Sequence, residues 1–380
     1  MSMIEESEMS ADDARRTMHG WGQRRHVVAA AFVAASLVAV AACSSSGSSS
    51  SSQATTQLSG TGSSAASPLT VALGAVSAEA AAVYIAQVEG YFAKEGVTVN
   101  VELQPGAEAS TDVLAGRADI AFTGATSALS PAVKGKQTQF IFATITGPGN
   151  ASLLVTANSK YDSLQSLSGQ QVSTQGVSGA SWGETQALSH YNATHGGSAF
   201  NVVPLGSSSL QADAVIAGRN AAAGGGPDLF GAQIAAGKMK VLVGPDSVVI
   251  KSLFPSDLLA SGLWGLASDF QAKSQSVTKF LTALLMANDY INTHSVNQVA
   301  AVMAKDPLYQ GYSLDAVQTA VSVIYPYLTP TDGAVSEQAW TDSLKTYADW
   351  GLGIDLSSSA LDYSTIINSQ LLSAAKTAQQ

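Results

Sequence analysis

Gly176-Val177-Ser178-Gly179-Ala180-Ser181-Trp182 is the stretch of this 380-residue chain whose residue types point most directly to chemistry. Glycines and serines at a helix start leave backbone N–H groups and hydroxyls free to face an anion or a carbonyl. Trp182 would add an apolar wall or a cation–π face. The plainer alternative is a Ser-capped helix with a core Trp. Thr123-Gly124-Ala125-Thr126-Ser127 offers similar donors, and Asn150 lies in a third such stretch, Thr146 to Ser152. Glu79 and Asp228 differ. Two acids at the mouth of a cleft would repel a bare oxyanion and suit an amine or a ring nitrogen. For each of them the alternative is a solvated helix cap.

Catalytic chemistry is thinly represented. Gly176 to Ala180 has the outline of a nucleophile elbow but carries Ala where that motif has Gly. His190 and His195 are five residues apart, off one helical face, and give no zinc geometry. The sequence shows no P-loop, kinase motif or acidic metal cluster. Gly60 to Ala65 formally matches a dinucleotide fingerprint, but no strand precedes it and no helix pattern follows. The expectation is a protein with no catalytic residue, no cofactor and no metal.

These residues sit at the ends of alternating strands and helices. Leu69 to Leu73 reads as a buried strand, Ala78 to Gly90 as a helix, and Val97 to Val101 as a second strand. Glu108 to Ala115 reads as a helix stopped by Gly116, and Asp119 to Phe122 as a strand. Phe140 to Ile145 and Ser152 to Thr156 follow as strands around a Gly147-Pro148-Gly149 turn. The pattern then restarts: strand Gln171 to Thr174, helix Gly179 to Ala193, strand Asn201 to Val203, helix Leu210 to Ala217, strand Asn220 to Ala223. Val113-Leu114-Ala115-Gly116-Arg117-Ala118-Asp119 and Val215-Ile216-Ala217-Gly218-Arg219-Asn220 are one helix-turn-strand device used twice. After a strand at Gly262 to Ala267 the chain is mostly helical, at Val277 to Thr293, Ser295 to Ala304, Leu314 to Ile324 and Ser336 to Trp350. These helices are expected to wrap the first lobe. The fold class is therefore α/β, with two lobes of one architecture.

Composition narrows the partners. The net charge is −10 and only 12% of residues are charged, where soluble domains carry roughly 25%. There is no basic footprint for nucleic acid. A single Cys rules out a disulfide framework. That Cys follows Val27 to Ala42, sixteen uncharged residues behind Arg24-Arg25, too short for a membrane span and suited to a signal h-region. Val40-Ala41-Ala42-Cys43 resembles the bacterial lipobox, in which the Cys becomes lipidated and N-terminal after cleavage. The alternative is a plain secretory signal. Arg24-Arg25 leaves general secretory and twin-arginine export both open. Twelve of the 25 residues from Cys43 to Ser67 are Ser, a tether with no apolar face.

Val83-Tyr84-Ile85-Ala86-Gln87-Val88-Glu89-Gly90-Tyr91-Phe92-Ala93-Lys94-Glu95-Gly96-Val97 is similar to the first helix and second strand of ABC-transporter solute-binding proteins of the nitrate/sulfonate/taurine and pyrimidine-precursor type. Leu114 to Ala121 resembles the next element of that family. Ser166 to Val172 resembles its passage into the second lobe, where Asp is commoner than Ser166. The repeat in the second lobe usually ends in Asp, and here it is Asn220.

The resemblance implies a two-lobed periplasmic-binding-protein fold of type II, with mixed sheets, helices on both faces and a ligand cleft between the lobes. The expected division is signal peptide 1–42, tether 43–67, first lobe 68–155 and 247–380, second lobe 156–246. The expected cleft residues are Glu79, Thr123, Gly124, Thr126, Ser127, Asn150, Ser178, Ser181, Trp182 and Asp228, with Glu79 and Asp228 at the rim and Cys43 as the lipid anchor. The expected role is an extracytoplasmic lipoprotein on the outer face of the cell membrane. As a monomer it would carry a small polar solute to an ABC permease and its ATPase. Sulfonate, nitrate, a taurine-like zwitterion and a pyrimidine remain open as ligands. Two other readings stay open, a secreted pyrimidine-related enzyme on the same fold and a sensor for a membrane partner. An enzyme would need a reactive His or Cys in the cleft, and Cys43 is the only Cys.

Overall fold

The computed structural model of the protein describes residues 66–104, 107–177, 179–328, 332–350 and 352–379. The expected signal segment, Cys43, all but the last two residues of the tether, and Ser178 lie outside these.

Among the described residues, ten strands form two five-stranded sheets. The first holds β1 (Leu69–Leu73), β2 (Val99–Leu103), β3 (Ile120–Gly124), β4 (Thr138–Thr146) and β10 (Leu259–Leu266), in the order β2-β1-β3-β10-β4. The second holds β5 (Leu153–Thr156), β6 (Gln171–Thr174), β7 (Asn201–Pro204), β8 (Ala222–Gly224) and β9 (Met239–Val243), in the order β7-β6-β8-β5-β9. In each sheet three strands run parallel, and a fourth, contributed from across the molecule, pairs antiparallel. Parallel neighbours need crossover connections, which explains why helices alternate with strands. The central strands are almost wholly buried and correspondingly rich in Leu, Val, Ile and Ala.

The chain changes sheets earlier than the expected boundary at residue 155. Leu153–Thr156 pairs with β8 and β9, so the whole strand belongs to the second lobe. The expected turn at Gly147-Pro148-Gly149 is thus a crossing between lobes. Gly147 has φ 79° and donates its N–H to Leu258 O at 2.8 Å, so the outgoing and returning crossings are hydrogen-bonded side by side.

The repeated device folds the same way in both lobes. Helix Glu108–Leu114 ends at Gly116 (φ 71°) before β3, and helix Ser208–Ile216 ends at Gly218 (φ 70°) before β8. Both glycines occupy the left-handed conformation that closes a helix and donate N–H to the carbonyl of Val113 or Val215 at 3.0 Å. Asp119, at the end of the first copy, accepts from Thr70 N–H at 2.9 Å and pairs with Lys273 Nζ at 2.7 Å. It precedes β3 and therefore sits at the opposite end of the sheet from the β3 terminus at Gly124. The departure at buried Asn220, whose Nδ2 has no partner, falls at the equivalent place before β8.

The C-terminal helices touch both lobes, which corrects the expectation that they wrap the first alone. Ser274–Thr293 and Val296–Met303 pack on helix Ala81–Val88 of the first lobe. Leu314–Leu328 instead reaches the second lobe at Gly231, where an added β-carbon would stand 2.8 Å from Ala316 O. Trp350, after helix Glu337–Asp349, lies against Gly183 of the second lobe. One apolar cluster joins Ala121, Phe140 and Trp264 of the first sheet to Leu153 and Val172 of the second. Among the described residues no helix is long and apolar enough to cross a membrane.

Candidate ligand-binding site

Open α/β sheets present ligands to the carboxyl ends of their strands. A cleft of about 570 Å³ lies there, between the two lobes. Segments after β1, β2, β3, β4, β6, β7 and β8 line it. The lobes touch across it: a β-carbon on Gly124 would stand 2.5 Å from Ala180 N, and one on Gly179 would stand 3.4 Å from Ser127 Oγ. Gly179 has φ 87° at the start of helix Ala180–Thr194, a left-handed turn that calls for glycine.

Of the expected residues, Glu79, Thr123, Gly124, Ser127, Asn150 and Ser181 line the cleft. Thr123 has internal partners: its hydroxyl accepts from Trp264 Nε1 at 2.8 Å and donates to Gly124 O at 3.3 Å. Thr126 is buried at the start of helix Thr126–Val133 and its hydroxyl has no partner, but it is not among the lining residues. Trp182 is half-buried and also absent from the lining; the next residue, Gly183, lies against the Trp350 ring. Ser178 lies outside the described residues.

The two acids are not at the rim. Glu79 and Asp228 are 6% and 4% exposed. Asp228 Oδ2 accepts from Ser77 Oγ at 2.6 Å and Ala78 N–H at 2.9 Å. It therefore caps the first turn before helix Ala81–Val88, from the other lobe. Glu79 N–H in turn donates to Ser77 Oγ at 3.1 Å. Burial pushes the Glu79 carboxyl well up, and the Asp228 charge adds to this. Burial likewise raises Asp228, while the hydrogen bonds from Ser77 and Ala78 pull it back. Asn150 Nδ2 donates to Ser261 Oγ at 3.4 Å, and the Ser261 side chain hydrogen-bonds the Glu79 carboxyl.

Sequence reasoning missed Ser77, Ser261 and Glu184. Ser77 was findable as the N-cap hydroxyl before an apolar helix. Ser261 carries no local signal, because it sits inside the long strand β10. Glu184 is 2% exposed with neither carboxyl oxygen partnered, and burial raises it to about 8. Its signal was an acid in the buried stripe Ala180, Glu184, Ala187 and Leu188. Among the described residues no group of three or more His, Cys, Asp or Glu is placed to hold a metal ion. Buried acceptors with nearby hydroxyls can orient a polar molecule by hydrogen bonds.

Comparison with known proteins agrees with this architecture. A family described as NMT1/THI5 like matches residues 77–297. No curated protein sequence matches the chain. Among solved structures, the ligand-binding component of an ABC-type import system from Staphylococcus aureus, with zinc bound, has a TM-score of 0.66 at 11% identity, covering 81% of this chain and 98% of that one. The periplasmic nitrate-binding protein NrtA from Synechocystis PCC 6803 has a TM-score of 0.62 at 11% identity, covering 83% and 89%. The alkanesulfonate-binding protein SsuA from Xanthomonas axonopodis pv. citri, bound to MOPS, has a TM-score of 0.60 at 15% identity, covering 79% and 98%. At these identities the likeness is one of fold, the two-lobed fold of periplasmic binding proteins.

Proposed function

The chain belongs to the NMT1/THI5-like family, and from that premise we propose that it is the extracytoplasmic solute-binding component of an ABC importer. It holds a small polar solute between its lobes and delivers it to a membrane permease. The observation that carries this reading is the contact between lobes at the cleft floor. Ser77 and Glu79 of the first lobe and Asp228 of the second are buried together beside a cleft of about 570 Å³. That volume suits a small molecule. A solute that touches both lobes favours the closed state in proportion to its extra contacts there.

Lipid attachment at Cys43, after a cleaved signal, is part of the proposal and rests on Val40-Ala41-Ala42-Cys43. The Ser-rich segment that follows would let the folded lobes reach the permease from a membrane anchor.

The test is a thermal-shift screen of the full chain against small sulfonates, nitrate, taurine, amines and pyrimidines. A solute at 100 times its Kd should stabilise the protein by about 2.7 kcal/mol. Small-angle scattering with and without the hit should show compaction. A chain that neither gains stability nor compacts with any of these classes is not a solute receptor of this kind.

A further inference from the structure

Of the buried acids Glu79, Glu184 and Asp228, Glu79 alone lines the cleft. Among the described lining residues none is Lys, Arg or His, and the other lining acid, Glu108, is exposed. Arg117 and Arg219 precede β3 and β8, at the far ends of those strands from the cleft. The Glu79 and Asp228 carboxyls both lie against Gly226: a β-carbon there would stand 3.2 Å from Glu79 Oε1 and 2.4 Å from Asp228 Oδ1. Two carboxyls this close, out of water and without a cation, do not both ionise. Asp228 accepts from Ser77 Oγ and Ala78 N–H, bonds that favour its charged form. Burial and the Asp228 charge push Glu79 well up, so the proton belongs to Glu79. Its direction is set by a relay. Asn150 Nδ2 donates to Ser261 Oγ at 3.4 Å, which leaves the Ser261 hydrogen for one Glu79 oxygen and the proton on the other. Asp228 Oδ1 has no partner, so the Glu79 proton is not spent there.

We propose that Glu79 meets the solute as a neutral carboxylic acid and donates its O–H to an uncharged acceptor, an amide or lactam carbonyl. The inference rests on reading the chain as a solute-binding protein and names the charge class of what it carries. A sulfonate or nitrate in the cleft would find no Lys, Arg or His to offset its charge. An ammonium group would find Glu79 protonated and Asp228 engaged in capping Ser77 and Ala78. A carbonyl suits the donors on both walls. Gly179 to Ser181 line the cleft where helix Ala180–Thr194 begins without a side-chain cap, so N–H groups of its first turn supplement the Glu79 proton. The groups facing Glu79 keep this assignment. Asp228 and Glu184 are the acids nearby, and each makes ionisation of Glu79 harder. Tyr84 and Tyr309, whose rings meet edge to face at 5.0 Å, are pushed up by burial and stay neutral. Strand β4 brings no titratable residue. On helix Leu314–Leu328, Asp315 is exposed, the Tyr325 hydroxyl donates to Ile291 O and His294 O, and the Tyr327 ring lies against Gly149.

The experiment is calorimetry and thermal shift on the full chain with N-methylacetamide, 2-pyrrolidinone and nicotinamide. Ethanesulfonate, nitrate and ethylammonium are the charged comparisons, with potassium chloride as a control of equal ionic strength. At least one uncharged probe should bind and stabilise. Its affinity should fall in alkali, where Glu79 loses the proton it donates. Glu79→Gln keeps a neutral donor, so it should bind about as well as the wild type and lose that alkaline fall. Glu79→Ala should weaken binding up to roughly tenfold, the loss of one hydrogen bond to a neutral group. Where Glu79→Ala fails to fold, the pH profiles of the wild type and Glu79→Gln decide. The same pH profile in those two proteins overturns the inference, as does a loss in Glu79→Gln equal to that in Glu79→Ala. Binding of a charged probe but of no uncharged one overturns it and leaves the solute-binding reading standing. No response to any of the six probes above the salt control removes the inference and counts against the broader reading.

Discussion

Asp228 and Ser77 lie 151 residues apart in the chain and form a 2.6 Å hydrogen bond that joins one lobe to the other. The same carboxylate oxygen takes the Ala78 N–H at 2.9 Å. A single side chain of the second lobe thus caps a helical turn of the first, and the cap exists only while the lobes are together.

Asp228→Ala should therefore loosen the closed form. It leaves Ser77 Oγ and Ala78 N–H buried without their acceptor, at a cost of about 1–3 kcal/mol for each unsatisfied group, unless the lobes separate and let water in. The expected result is a larger radius of gyration by small-angle scattering with unchanged secondary structure by circular dichroism. An unchanged radius would show that the lobes are held by other contacts.

Glu184 should give the protein an acid-favouring stability profile. In the unfolded chain its carboxyl ionises near the ordinary value of 4.5, whereas in the fold burial raises it to about 8. Between those values the folded state holds a proton that the unfolded state has released. Stability therefore falls as pH rises through that window, by at most ~1.4 kcal/mol per pH unit for one proton. Glu79 and Asp228, also raised by burial, act with the same sign. Glu184→Gln should remove one proton's share of the slope, read as the urea midpoint against pH. Parallel curves for the two proteins would mean that Glu184 is already ionised in the fold.

Gly124→Ala should prop the cleft open. The new methyl would stand 2.5 Å from Ala180 N, a backbone atom that cannot swing aside as a side-chain end can. Relieving the clash inside a closed molecule would cost about 1–3 kcal/mol, while separating the lobes avoids it. Affinity for any solute that needs both lobes should drop roughly tenfold or more, at 1.4 kcal/mol per tenfold. Calorimetry with wild-type affinity would show that the Gly124–Ala180 approach yields easily.

Cys43→Ser tests the anchor. The variant should leave the membrane fraction and appear in the soluble extracytoplasmic fraction. If it stays with membranes, attachment does not run through this thiol.

Much of the fold was legible locally. Strand Gln171–Thr174 and helix Ala180–Thr194 follow from hydrophobic period and flanking glycines, and the duplicated turns at Gly116 and Gly218 follow from glycine's left-handed freedom. The strand ends carrying Gly74, Thr123, Asn150, Gly176 and Gly226 could be named because such stops act over a few residues, and all five positions line the cleft. Other elements were hidden for equally local reasons. Helix Thr126–Val133 contains Pro131, which reads as a stop, and β9 carries the exposed pair Lys240 and Val241, which blurs its apolar pattern. The tertiary structure alone decided that Trp350 packs on Gly183 and that Trp182 does not line the cleft, because the face a helix buries is set by its neighbours. It also decided that Glu79, Glu184 and Asp228 are buried acids and not solvated caps. Desolvation and like-charge proximity arise only when segments about 150 residues apart in this chain are packed against each other, and no window of local sequence contains both partners.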